Sequence, residues 1–226
     1  LREQTPVLLC VDEWSHWITV VRAEDRRFVV VDSTDDPLLS VRTWPQLRNW
    51  WRYHDTDYAT DKPPTLYDLM AVSPRFRTTV KADFSVERVK FLRRPENRRL
   101  ARHWNEYLED LLEICRPPTH RIAEPLSMGE FLRRHQELLL TRVVYWHGDV
   151  SRDEVSRVLR DLRFVSETYG LVIPASMSRR ALADLAILIS LWTSADRGVD
   201  GMFGSPGSDA RSVAAPRKRK RRNGRR

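Results

Sequence analysis

The sequence predicts an α+β protein: an antiparallel β-sheet, then an all-α helical module, then a disordered basic tail. Three observations carry that prediction. Short Val/Ile-rich runs separated by polar turns fill the first 75 residues, and apolar residues at helical spacing take over from about Glu96. Residues 217–226, RKRKRRNGRR, then hold eight Lys/Arg and no acid. The expected units are 1–92 for the sheet, 93–198 for the helices and 199–226 for the tail.

VLLCVD (7–12), HWITVVR (16–22) and RFVVVD (27–32) read as strands of an antiparallel meander, and LLSVR (38–42) as a fourth. Their β-branched side chains suit a pleated, half-buried surface. Thr43-Trp44-Pro45-Gln46 then supplies a cap residue, a first-turn proline and a Gln three residues after the cap. The helix it opens, about 44–53, sets Trp44, Leu47 and Trp51 on one face. LYDLMAVS (66–73) closes the region as a final strand before Pro74.

In the second half, Leu100, Trp104, Tyr107, Leu111 and Ile114 recur at helical spacing until Pro117-Pro118. Ser127 with Glu130, and Ser151 with Glu154, have capping-box spacing. Leu126 with Phe131, and Val150 with Val155, have staple spacing beside them. Gly148 and Gly170 are the expected stops. A last, most apolar helix runs from about Ser178 to Asp196; it is interrupted by Asp184 and too short to span a bilayer.

The formal charge of +8 comes entirely from the tail, since residues 1–216 carry 31 basic and 31 acidic side chains. A nucleic-acid or polyanion contact is therefore expected of the tail alone, and a solvated solubilising tail has the same composition. Cys10 and Cys115 are too few for a disulfide framework, and with no signal-peptide pattern they fit a reducing, cytoplasmic setting. The six histidines show no metal-ligand spacing, so no metal or cofactor is implied. His103, His135 and His147 fall on predicted helices, where surface or edge positions are expected.

One pair of residues stands out. With the turn of the 16–32 hairpin centred on Glu24, Val20 faces Phe28, Ile18 faces Val30 and His16 faces Asp32, all on one side of the sheet. A carboxylate opposite an imidazole fixes its tautomer and stabilises the imidazolium, as a general base requires. An ordinary strand-end ion pair would have the same spacing. A one-residue slip would put Ser33 opposite His16 and turn Asp32 to the other face.

The run PVLLCVDEWSHWITVV…RRFVVVDSTDDPLLSV…TWPQLRNWW…YDLMAVSPR, about residues 5–75, resembles the C-terminal half of papain-like cysteine peptidases, closest to the bacteriocin-processing (double-glycine leader) peptidases. The resemblance implies a papain-like subdomain and thiol-dependent hydrolysis of a peptide or related amide bond in a peptide or protein substrate. His16 would be the base and Asp32 its orienter. The family's nucleophilic Cys and its oxyanion-hole Gln lie well upstream of this run, so a Cys-bearing segment is expected before Leu1. Where the family has Asp-Pro, this chain has Asp32-Ser33.

Neither resident cysteine suits the role of nucleophile. Pairing across Glu13-Trp14-Ser15 could bring Cys10 to the His16 face opposite Ile18, but a mid-strand thiol reads as a small buried hydrophobe. Cys115 closes an apolar helical face at the negative end of the helix dipole, which disfavours a thiolate. Trp14 and Trp17 flank His16 and could wall a cleft or simply pack. The rival functional reading is an inactive, peptidase-like peptide-binding or interaction protein whose basic tail binds polyanions.

Overall fold

A computed structural model describes residues 5–35, 37–55, 62–73, 80–116, 124–148 and 150–194. The chain is α+β, with an antiparallel five-stranded sheet followed by helices. Strands β1 (Val7–Val11), β2 (His16–Glu24), β3 (Arg27–Val31) and β4 (Leu39–Thr43) lead into α1 (Trp44–Trp51). Two-residue strands β5 (Tyr53–His54) and β6 (Thr65–Leu66) pair with each other, and β7 (Leu69–Ala71) returns to the main sheet. The strand order is β4-β3-β2-β1-β7, with every neighbour antiparallel. The expected strand over 66–73 is thus split, because Tyr67 and Asp68 carry the chain from one ladder to the other.

The cap signature before α1 works as read: the Thr43 N–H donates to Gln46 Oε1 at 2.9 Å. The helix stops two residues early, at Trp51, because Tyr53 and His54 are drawn into the ladder with β6.

The sheet contributes to a core on each side, while β7 stays exposed. Leu9, Val11, Ile18, Val20 and Val30 cluster with Leu47 of α1, and Phe28, Trp50 and Trp51 pack against them. From the other side, Val29 and Leu39 enter the larger core formed with the helices. The link is α2 (Val86–Leu92), whose Val86, Val89 and Leu92 belong to that same core. This helix has no counterpart in the sequence reading. It is only seven residues long, and helices that short depend on packing more than on propensity.

A 3₁₀ turn (Pro95–Asn97) precedes α3 (Arg98–Arg102) and α4 (Trp104–Cys115). The single helix expected from about Glu96 is therefore broken at His103, whose φ of −103° and ψ of 17° leave the helical region. His103 is buried there against Tyr107 and Trp192, contrary to the surface or edge position expected. Strand β8 (Pro125–Ser127) leads to α5 (Met128–Trp146), followed by α6 (Arg152–Tyr169), β9 (Val172–Pro174), a 3₁₀ turn and α7 (Ser178–Ser194).

Helices α4 to α7 pack on one another, and β8 pairs with β9. Ser127 and Ser151 each accept a backbone N–H at N3, at 3.3 and 3.1 Å. Arginines engage the glutamates of both boxes: Glu130 bonds Arg133 and Arg134, and Glu154 bonds Arg99 and Arg157. Gly170 ends α6 at φ +62°, where an added Cβ would meet the Ala82 nitrogen at 2.7 Å. The end expected for α7 at Asp196 and the whole 199–226 tail lie outside the described residues.

Candidate active site

The 16–32 hairpin does not take the expected register. Its turn is Asp25-Arg26, both with positive φ (48° and 59°), and Glu24 pairs with Arg27. Two-residue loops of that handedness match strand twist, but neither residue is the glycine that usually announces one. The ladder runs Ala23↔Phe28 and Arg22↔Val29, then shifts so that Val20 faces Val30 and Thr19 faces Val31. Val21 is the extra residue of a β-bulge. The predicted pairs Val20–Phe28, Ile18–Val30 and His16–Asp32 are therefore not directly opposite.

The two predicted site residues nevertheless meet. His16 Nε2 lies 2.7 Å from Asp32 Oδ1. His16 opens β2 opposite Val11, and Asp32 follows the last residue of β3, with its N–H donating to the Leu38 carbonyl at 2.9 Å. Asp32 is 2% exposed, and the His16 side chain is 21% exposed. So the carboxylate is sealed while the imidazole keeps an open side.

Burial alone would raise the Asp32 pKa, and it is the largest single influence. It is outweighed by hydrogen bonds from the Thr34 N–H (2.9 Å), from His16 and from the Thr34 hydroxyl (2.8 Å), which hold the carboxyl below its ordinary value. The Thr34 N–H contact is an Asx-turn, the local bond by which Asp organises the two residues after it. Thr34 plays no part in the sequence reading; the Asp-x-Thr spacing after a strand is the signal that would have found it.

An ionised Asp32 can only accept, so in the neutral ring Nε2 must carry the proton. Nδ1 then presents its lone pair, and among the described residues it has no hydrogen-bond partner. So held, the imidazole can accept a proton at Nδ1, and the carboxylate stabilises the imidazolium that results.

Neither cysteine shares the site. Cys10 pairs with Trp17, one register step from the Ile18 position considered above, and so sits on the opposite face from His16. It is buried, and burial together with the Asp68 charge raises its pKa. Cys115 is the last residue of α4, and burial pushes its thiol up to about 12. Trp17 also points away from His16, whereas Trp14 stacks on Tyr53 at 4.1 Å. Among the described residues no His/Cys/Asp/Glu group is gathered to hold a metal ion, and no helix is long and apolar enough to cross a membrane. Comparison with family models, curated proteins and solved structures found no match to this chain.

Proposed function

We propose that this chain carries the base-and-orienter half of a papain-like cysteine peptidase, acting on a peptide or related amide bond with a nucleophilic Cys contributed by a segment upstream of Leu1. The observation that carries the reading is the 2.7 Å bond from His16 Nε2 to a sealed, ionised Asp32, which leaves Nδ1 available. The thiol proton passes to Nδ1, and the thiolate attacks the substrate carbonyl. Asp32 stabilises the imidazolium, which returns its proton to the leaving amine. Water deprotonated by Nδ1 then hydrolyses the thioester and restores the thiol. The unbridged cysteines suit a reducing, cytoplasmic setting.

Supplying the upstream Cys-bearing segment, by extension or in trans, should create one thiol that iodoacetamide alkylates at pH 6. His16→Ala should abolish that reactivity and Asp32→Asn should weaken it. Low-pH reactivity indifferent to His16→Ala overturns the proposal.

A second reading is favoured by the placement of both cysteines, Cys10 on the sheet face opposite His16 and Cys115 at the end of α4: a peptidase-like module that binds an extended peptide without cutting it. It predicts that the extended protein binds peptides but labels no faster than a free thiol.

A further inference from the structure

Asp12, Glu13 and Trp14 are three consecutive non-glycine residues with positive φ (52°, 52° and 65°). L side chains adopt this region only at a cost, and such strain persists where surrounding contacts over-determine it. Here the strained loop immediately precedes His16, and every one of its three residues is tied to the segment that begins at Trp50. Asp12 makes two bonds to Trp50: its N–H donates to the Trp50 carbonyl at 3.2 Å, and its Oδ1 accepts the indole N–H at 2.6 Å. Glu13 Oε2 accepts the His54 N–H at 3.3 Å, and Trp14 stacks on Tyr53. The Asp12 carbonyl also accepts both the N–H and the hydroxyl of Ser15, at 3.1 and 2.7 Å.

Trp50 in turn faces the site. Its ring lies 6.5 Å from the His16 imidazole, tilted by 33°, within the range of aromatic pairs. Arg42 stands over the same indole at 5.2 Å and also bonds Asp35. In this left-handed conformation residue 12 brings its own N–H and its carboxylate to one tryptophan together. Asp tolerates that backbone better than most L-residues.

We propose that Asp12 and Trp50 are positioning residues for His16, and that the strain in the 12–14 loop is retained because it anchors the indole beside the imidazole. This rests on the reading of His16 as the base. Asp12 fixes the Trp50 ring through a charge-assisted bond, and the fixed ring limits the rotation of His16 away from Asp32. Neither residue touches the proton that His16 would carry.

The test is solvent exchange of the His16 Nε2 proton, followed by NMR in the 15N-labelled 226-residue chain. In the wild type that proton should be protected by its bond to Asp32. Asp12→Ala, at an exposed position, should speed its exchange about tenfold, the effect of losing one hydrogen bond to a charged group. Trp50→Phe keeps a ring but removes the donor, and should do the same. Asp12→Asn keeps an acceptor for the indole and should stay within about twofold of wild type. The amides of Val20 and Val30 should not respond in any of these variants, which separates positioning from general loosening of the sheet. Unchanged Nε2 protection in Asp12→Ala and Trp50→Phe overturns the positioning role while leaving the His16–Asp32 pair intact. An unprotected Nε2 proton in the wild type overturns the pair itself, and the positioning role with it.

Discussion

His16 and Asp32 stand diagonal to one another, joined at 2.7 Å from the first residue of β2 to the residue that follows β3. Continuing the ladder past Thr19↔Val31 puts Ile18, not His16, across from Asp32. The Asp25-Arg26 turn, left to run without interruption, would pair Thr19 with Asp32 and send the carboxylate to the face away from His16. Val21 prevents this. By dropping out of the ladder it restores the parity that sets Asp32, Ile18 and His16 on one face.

Removing the bulge should therefore be harmless to the site, whereas shortening β3 should not. A chain lacking Val21 keeps Val20↔Val30 and Arg22↔Val29 as a regular ladder, and should retain the His16–Asp32 bond. A chain lacking Val31 moves Asp32 one position along its strand, onto the other face or out of reach, and should lose it. Protection of the His16 Nε2 proton distinguishes the two. Loss in the first deletion, or retention in the second, contradicts this account of the register.

Asp32 should leave a signature in the pH dependence of stability. Its folded pKa lies below the ordinary 3.8, so its contribution is present in full above the unfolded value and is lost as pH falls through the folded one. Asp32→Asn cannot titrate. It should be less stable than wild type at pH 7, and the gap should narrow as pH drops below about 4. Urea midpoints from pH 3 to pH 7 test the sign. A gap that widens on acidification would mean that the folded state does not favour the carboxylate.

Much of this was legible in the sequence, for local physical reasons. The strands announce themselves through Val/Ile runs, α1 through Thr43 and Gln46, and α5 and α6 through Ser127 and Ser151. The proximity of His16 and Asp32 also survives a wrong register, because any pairing of the right parity brings the two strand ends together. What was not legible depends on tertiary context. No glycine marks the Asp25-Arg26 turn, and nothing within Val20-Val21 says which valine is surplus. The break at His103 carries neither Gly nor Pro. Helix α2 and Trp50 owe their places to partners distant in sequence, namely the α6 helix and the Asp12 carboxylate.

The joint between α2 and α6 rests on Arg88. Its guanidinium bonds Asp83 at 2.6 Å, the Phe164 carbonyl at 3.2 Å, the Thr168 hydroxyl at 3.0 Å and Glu167 at 3.2 Å, and lies 4.6 Å from the Phe164 ring. Arg88→Ala should cost about 3 kcal/mol in urea unfolding, because it strands partly buried acceptors. Arg88→Lys should recover little of that, since an ammonium cannot reproduce the fork. A loss under about 0.5 kcal/mol would put Arg88 among ordinary surface ion pairs.

The tail should account for any affinity toward polyanions. Residues 1–216 are formally neutral, so deleting 217–226 should abolish binding to DNA or heparin. In the full chain the affinity should fall steeply with salt, with a log–log slope approaching about −0.9 per phosphate neutralised on duplex DNA. Unchanged binding by the tailless chain would point to a folded basic patch.

Thiol chemistry offers the sharpest test of where the nucleophile resides. Cys10 faces away from His16 and is raised by burial and by Asp68, while Cys115 is pushed up to about 12 inside the helical core. Both should therefore be almost wholly protonated at pH 6 to 8, and alkylation by iodoacetamide requires the thiolate. In the native 226-residue chain, both should label more slowly than a free cysteine, Cys115 by at least about tenfold. In denaturant both cysteines should label at the ordinary rate. His16→Ala should change neither rate, because Cys10 lies on the other face of the sheet and Cys115 in the helical core, away from the imidazole. Rapid labelling of Cys10 in the native chain, abolished by His16→Ala, would mean that the sheet rearranges to bring Cys10 onto the His16 face. No upstream thiol would then be needed.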